Sequence, residues 1–264
     1  MSSESDVQPV DLGPDVGTWF TGAVLDGAED ANLAHHRPHR PERLAQARDV
    51  VARRTGTDAT AWHLMRQVHG AAVATVDERT PAGAELRDVD VLVTRLTDRP
   101  LVVLSADCVP LVAAGEVAIG VAHAGWRGLQ ADAPGALVGA LRALGERPER
   151  LRIALGAAIG PCCYEVGPEV VAAIAAVDAA AGATTTRTGS TSVDLRAATR
   201  TRLRQLGVTD VVDVPCVTPA LAAADGADPA MASCTACGTG WFSHRRDPAS
   251  GRQAALVVRR GAKV

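Results

Sequence analysis

The residues Leu101-Val102-Val103-Leu104 read as a strand of pure core, yet they run straight into "SADCVPL" (residues 105–111), a carboxylate followed by a thiol. The next aliphatic run, residues 117–122, leads into "VAHAGWRG" (121–128), where a histidine stands close to glycine and tryptophan. Short apolar runs closed by turn formers are strands that the fold has to bury. Donor atoms at their ends sit on a rigid scaffold, so the pattern points to a metal or nucleophile site assembled where strands end.

Further strand candidates are residues 89–93, 152–159, 210–214 and 255–259. Helical stretches with recognisable ends lie between them. Residues 41–53 are arginine-rich and amphipathic, and residues 133–144 have Pro134 in the first turn and Gly145 just past the end. Residues 168–180 are rich in alanine and valine. Ser192 or Asp194 can cap a helix that runs to Leu206 and stops at Gly207. The stretch 181–191 is linker-like but short enough to be a surface loop. Without an internal repeat or a regular βαβ period, an α/β (α+β) fold is expected, with mixed β-sheets flanked by helices. It would form a single domain over residues 17–264, behind a disordered leader over residues 1–16.

Length and charge narrow the function. A chain of 264 residues buries a real core, and a net charge of −3 gives no global attraction to nucleic acid or membrane. No apolar stretch reaches the roughly 18 residues of a membrane span. The acidic, polar N-terminus is the opposite of a signal peptide. The expectation is therefore a cytoplasmic monomer or homodimer that acts on a small molecule. Lys263 is the sole lysine, which excludes a P-loop lysine, a Schiff-base lysine and a lysine general base in the body of the chain. Six cysteines in such a chain read as buried, reactive or metal-binding rather than as a disulfide framework.

His69 in "RQVHG", Cys108 and His123 are the candidate ligands. Two imidazoles and a thiolate suit zinc, and three protein ligands leave a fourth position open, as in a catalytic site. The spacing is not diagnostic, because 39 and then 15 positions separate the three. The same residues support a rival: Cys108 as a nucleophile with His123 as its base. Cys234 and Cys237 in "SCTACGTGWF" make half a zinc ribbon, with only Cys216 and His244 nearby to complete it, so a surface turn with one buried cysteine is the expected outcome. "AIGPCCYEVG" (158–167) gathers Cys162, Cys163, Tyr164 and Glu165 at a turn that fits a pocket wall. Arg66, Arg127, Arg245 and Arg246 are candidates for holding an anionic substrate.

In order and wording, "RQVHG", "DVDVLVT", "SADCVPL", "VAHAGWRG", "IGPCCYEVG" and the tail "CTAC…FSHRRD…GRQAALV" resemble the laccase-domain or multicopper polyphenol oxidase family, also called the peptidoglycan editing factor family. The resemblance covers roughly residues 17–260. It implies one α/β domain related in fold to certain cysteine hydrolases and toxins. It also implies zinc on His69, Cys108 and His123. Members of the family phosphorolyse adenosine, inosine, guanosine and methylthioadenosine, and deaminate adenosine. A multicopper centre is excluded by stoichiometry: it needs about ten histidines, largely in His-x-His pairs, whereas this chain has seven and no such pair. The N-terminal block departs from the family pattern. Phe20, Thr21, Asn32, Leu33 and His36 are kept, but Ala23 stands where the family has an arginine, which puts phosphorolysis in doubt unless His35, His36 or His39 compensates.

Together these readings describe a zinc-dependent enzyme of purine nucleosides. Asp107 or Glu165 would move protons, with Cys108 at the metal. Arg66, Arg127 or Arg245 would hold phosphate, and Asn32 and Tyr164 would complete the substrate site. The alternatives are a cysteine hydrolase or amidase editing cell-wall precursors, and a non-catalytic binder of zinc or nucleoside.

Overall fold

The computed structural model describes residues 6–214 and 233–261. In chain order its elements are β1 (Val7–Pro9), β2 (Val16–Thr21), α1 (Pro41–Thr55), β3 (Leu64–Arg66), β4 (Val73–Thr75), β5 (Glu85–Arg87), β6 (Val91–Thr94), β7 (Leu101–Ser105), β8 (Val109–Ala114) and β9 (Ile119–Ala124). Then follow α2 (Trp126–Gln130), α3 (Ala133–Ala143), β10 (Arg152–Leu155), α4 (Pro168–Ala175), β11 (Thr184–Thr185), β12 (Thr191–Ser192), α5 (Leu195–Gln205), β13 (Asp210–Asp213) and β14 (Gln253–Arg259). A six-stranded sheet has the order β13-β10-β8-β9-β6-β4, and a four-stranded one the order β1-β2-β14-β7. The first mixes parallel and antiparallel pairs, because β4–β6 and β10–β13 run parallel and the inner pairs antiparallel.

Period-two alternation along each strand shows what covers each face. Leu101 and Val103 point into a core shared by the two sheets, together with Leu92, Val112, Val121 and Val257. Val102 and Leu104 point the other way, onto Trp62, Leu33 and Val51, the last of which lies on α1. Val91, Val93, Leu111 and Ile153 face the helices, packing with Leu137 and Leu141 of α3 and with Leu195 and Leu203 of α5. The result is helix, sheet, sheet, helix in layers: one mixed α/β domain. Strands covered on both faces explain why the sequence shows aliphatic runs and no polar alternation. Leu111, Leu137 and Ile153 are fully buried, and truncating any of them to alanine costs about 2–5 kcal/mol.

Helix ends follow local chemistry. Gly56 closes α1 in the left-handed region (φ 61°), and Asp132 caps α3 by accepting the Gly135 N–H at 3.1 Å. At α5 the cap is Asp194, which accepts from Ala197 N–H at 2.9 Å, rather than Ser192, which pairs within β12. Most boundaries shift by one or two residues, and three depart further from expectation. Helix α4 ends at Ala175, not at residue 180, because the Asp178 carboxylate takes the Ala180 and Ala181 N–H groups into a turn. The strand expected over 152–159 stops at Leu155 and leaves only an isolated bridge from Ala158 to Cys234. The leader expected over residues 1–16 is partly in the fold, since β1 pairs with β2 and Val7 is buried. Strand β8 carries Pro110, which stands opposite His123 of β9 and whose carbonyl accepts the Gly156 N–H at 3.0 Å just past the end of β10.

Candidate metal centre and its cavity

Strands β6, β8 and β9 bring their site-bearing ends together. Asp90 lies just ahead of β6, Cys108 just ahead of β8, and His123 is the penultimate residue of β9. His69 comes from the loop between β3 and β4. The ligand atoms of His69, Cys108 and His123 all lie within 4.8 Å of one another, and the two imidazole rings stand 4.8 Å apart at 74°.

The fully buried Asp90 carboxylate holds this arrangement. It accepts N–H bonds from Val68 at 3.1 Å, His69 at 3.0 Å and Gly70 at 2.7 Å, and it binds His123 Nδ1 at 2.9 Å. Successive amides around an anion form a nest, and the left-handed backbone of His69 (φ 64°) turns them inward. Burial works against the Asp90 charge, but the bonds from His123, Gly70 and Val68 outweigh it and hold the carboxyl below its ordinary range. With Nδ1 committed to Asp90, Nε2 is the His123 atom left to ligate, the carboxylate–histidine support common behind bound metals.

Electrostatics at the centre are strongly coupled. Burial opposes ionisation of Cys108, yet the charge and hydrogen bonds of His123 and His69 bring its thiol down to about 6. Burial likewise disfavours the His123 cation, but the Cys108 thiolate and Asp90 raise it to about 9. A thiolate facing an imidazolium is also what a bound metal would replace, displacing the proton from the ring. Space fits that exchange, since a Cβ at Gly125 would lie 2.7 Å from Cys108 Sγ and 3.4 Å from His69 Cδ2. Two nitrogens and one sulfur, with room kept clear by a glycine, suit one tetrahedral zinc.

The centre opens into a cavity of about 540 Å³, of the size that takes small molecules. Its walls carry Arg37, Arg127, Arg245 and Arg252, the histidines His36 and His244, and Trp126 and Tyr164. Among the described residues Asp107 is the only carboxylate lining it, and both of its oxygens are occupied. Oδ1 accepts from Thr235 Oγ1 at 2.6 Å and Oδ2 from the Arg245 N–H at 2.7 Å, while its backbone is left-handed at φ 88°. Arg245 stacks 5.0 Å above the Tyr164 ring and donates to the Glu165 carbonyl at 2.8 Å. Burial first, then the Cys108 and Asp107 charges, push the Tyr164 phenol up to about 12, so it stays a donor.

Seven expected residues therefore meet here: His69, Asp107, Cys108, His123, Arg127, Tyr164 and Arg245. Four other expected residues lie with their side chains engaged or directed elsewhere. The Asn32 side chain is consumed by Ala34 and by the Arg252 N–H, pinning a loop rather than meeting substrate. Arg66 points to solvent and pairs with Asp88 at 3.0 Å. Glu165 is exposed outside the cavity and offers only its carbonyl, to Arg245. Arg246 spends its guanidinium on the carbonyls of Thr235 and Gly238, at 2.8 and 2.7 Å. Of the loop histidines, only His36 lines the cavity. His35 lies against Glu85, and His39 Nδ1 bonds the Arg37 carbonyl. The Cys234–Cys237 turn does not enlist His244; its thiols lie against Cys162 and Cys163, and Cys216 lies outside the described residues.

Sequence reading missed Asp90, although a carboxylate at the head of the apolar run in "DVDVLVT" was a visible signal. It also missed Arg37 and Arg252, which come together only in the fold.

Residues 19–260 match the family model described as multi-copper polyphenol oxidoreductase laccase. The chain is 36% identical over 219 residues to purine nucleoside phosphorylase ORF3 of Streptomyces griseus, covering 82% of each. It is 37% identical over 177 residues to adenosine deaminase RL5 of an unknown prokaryotic organism, covering 63% of this chain and 68% of that one. The crystal structure of YlmD from Geobacillus stearothermophilus superposes with a TM-score of 0.79 at 26% identity, covering 94% of this chain and 93% of that one.

Proposed function

This chain belongs to the multi-copper polyphenol oxidoreductase laccase family, and on that premise we propose that it is a zinc-dependent enzyme that splits purine nucleosides with phosphate and, as a second reaction, deaminates adenosine. The observation that carries this reading is the joining of a His–Cys–His donor set to a cavity wall rich in arginine and, among the described residues, without a free carboxylate. The names of the Streptomyces and RL5 relatives support the two reactions.

His69, Cys108 and His123 would hold the metal, with Asp90 fixing the tautomer of His123. Zinc, when bound there, supplies Lewis acidity at neutral pH. Arginine forks suit a phosphate dianion, and Arg37, Arg127, Arg245 and Arg252 supply that charge although Ala23 replaces the family arginine. Trp126 and Tyr164 offer flat faces to a purine, and the protonated Tyr164 hydroxyl is a neutral donor to it. Asp107 acts as a positioning residue for Arg245 and Thr235 rather than as the proton carrier. His244 and His36, on the same walls, are groups that could move a proton in deamination.

The juxtaposition of Cys108 and His123 also favours a second reading, a cysteine nucleophile with an imidazole base. One experiment separates the two. The purified chain is analysed for zinc, then incubated with adenosine or inosine, with and without phosphate, and the products are identified. Free base and ribose 1-phosphate that appear only with phosphate and only with zinc support the proposal. Turnover that survives zinc removal but not thiol alkylation overturns it in favour of the nucleophile. Nucleoside binding without product assigns the chain as a binder.

A further inference from the structure

A second cluster of metal-ligating side chains lies apart from the His–Cys–His centre. Cys162 and Cys163 sit on the turn after β10, where the Cys163 and Tyr164 N–H groups both return to the Gly160 carbonyl at 3.0 and 3.1 Å. Cys234 and Cys237 sit on a second turn, closed by the Gly238 N–H on the Cys234 carbonyl at 3.1 Å. The Ala158–Cys234 bridge fixes the two turns against each other. The four sulfurs lie within 4.8 Å of one another, and Cys162 and Cys163 are each 3.4 Å from Cys237, sulfur to sulfur. A disulfide needs about 2.05 Å. A tetrahedral ion with metal–sulfur bonds of about 2.3 Å sets its sulfurs about 3.8 Å apart.

Two of the four sulfurs receive donors suited to anionic sulfur, while burial and the neighbouring sulfurs hold the Cys162 and Cys237 thiols neutral until a cation joins them. The Gly160 N–H donates to Cys234 Sγ at 3.2 Å, and the Arg187 guanidinium to Cys163 Sγ at 3.2 Å. Gly160 also leaves room for the group, since a Cβ there would stand 3.2 Å from both Cys162 Sγ and Cys234 Cβ. Four converging thiolates repel unless a cation sits among them, and amide and guanidinium donors take up part of the excess charge. We propose that Cys162, Cys163, Cys234 and Cys237 bind one zinc ion as a closed four-thiolate site. With all four positions filled by protein, the site is structural. Its two turns carry Tyr164 and Thr235, so the ion clips together the wall that presents Tyr164 to the cavity and bonds Thr235 to Asp107.

The test is metal stoichiometry of the full chain, purified anaerobically with a thiol reductant. Two zinc ions per chain are expected, one lost in Cys237→Ser and the other in Cys108→Ala. A single zinc that persists in Cys108→Ala and is lost in Cys237→Ser also supports the four-cysteine site, while refuting the His–Cys–His one. A single zinc lost in Cys108→Ala and kept in Cys237→Ser overturns the proposal, as does an intact mass showing disulfides among these cysteines. Should Cys237→Ser fail to fold, cobalt exchanged into the wild-type chain decides. Thiolate-to-cobalt absorption from four sulfurs on one ion is expected, and absorption from a single sulfur overturns the site.

Discussion

The two thiol-bearing clusters differ in how they are built. His69, Cys108 and His123 number three, are borne by strand ends and one loop, and open onto a 540 Å³ cavity; Cys162, Cys163, Cys234 and Cys237 number four and sit on two turns. Behind the first stands a fully buried carboxylate, Asp90; beside the second stands an exposed guanidinium, Arg187. The sign of each neighbour fits its task. A carboxylate sharpens a histidine as a ligand and sets its ring, and a cation offsets the excess charge of four thiolates. Three ligands leave a position for chemistry, and four leave none. A thiol is thus reactive or architectural according to the number of donors around it.

The hardest test of that contrast is Cys108→Ala, which should lower nucleoside turnover by at least about 1,000-fold, in the range seen when a principal catalytic group is removed. Elemental analysis should show the same variant keeping the four-cysteine zinc. Asp90→Asn should weaken zinc binding and turnover by about 10- to 100-fold, measured by competition with a chelator. An unchanged affinity would break the link between the buried carboxylate and the site. In metal-stripped protein at pH 7, Cys108 should alkylate ahead of Cys162, because its thiol is lowered to about 6 and that of Cys162 is raised by burial and by Cys234. The thiolate is the reactive form, so the Cys108 rate should hold between pH 9 and 7. It should fall about tenfold per unit below about pH 6; a midpoint near the 8.5 of a free thiol would sink the reading. The smallest effect belongs to Arg66→Ala. Its exposed pair with Asp88 predicts a stability change within about 0.5 kcal/mol and unaltered kcat and KM.

Much of this was legible in the chain. The runs around Leu101, Ile119 and Ala255 gave the central strands, because covering both faces leaves an unbroken aliphatic signal. The candidate trio His69, Cys108 and His123 was visible because each residue interrupts or flanks such an element. What was not legible depended on distance and on occupancy. Arg37 and Arg252 meet across most of the sequence, and nothing local marks either. Asp107 looked like an acid–base group until both oxygens were seen to be taken by Thr235 and Arg245. Asn32 and Arg66 carried suitable chemistry, but one is consumed by backbone and the other faces water. The Cys234–Cys237 turn looked incomplete because its partners lie more than 70 positions earlier.

The left-handed backbone at His69 carries an evolutionary consequence. At φ 64° a glycine would be relaxed where the imidazole is strained, and the side chain is exposed, so its loss sacrifices little packing. In the metal-free chain, His69→Gly should therefore raise folding stability by on the order of 1 kcal/mol. A laboratory selection for heat resistance in metal-free medium would drift toward glycine there and delete one of the three candidate ligands. Persistence of histidine at this position in a descendant population would then be a record that chemistry, and not durability, was under selection.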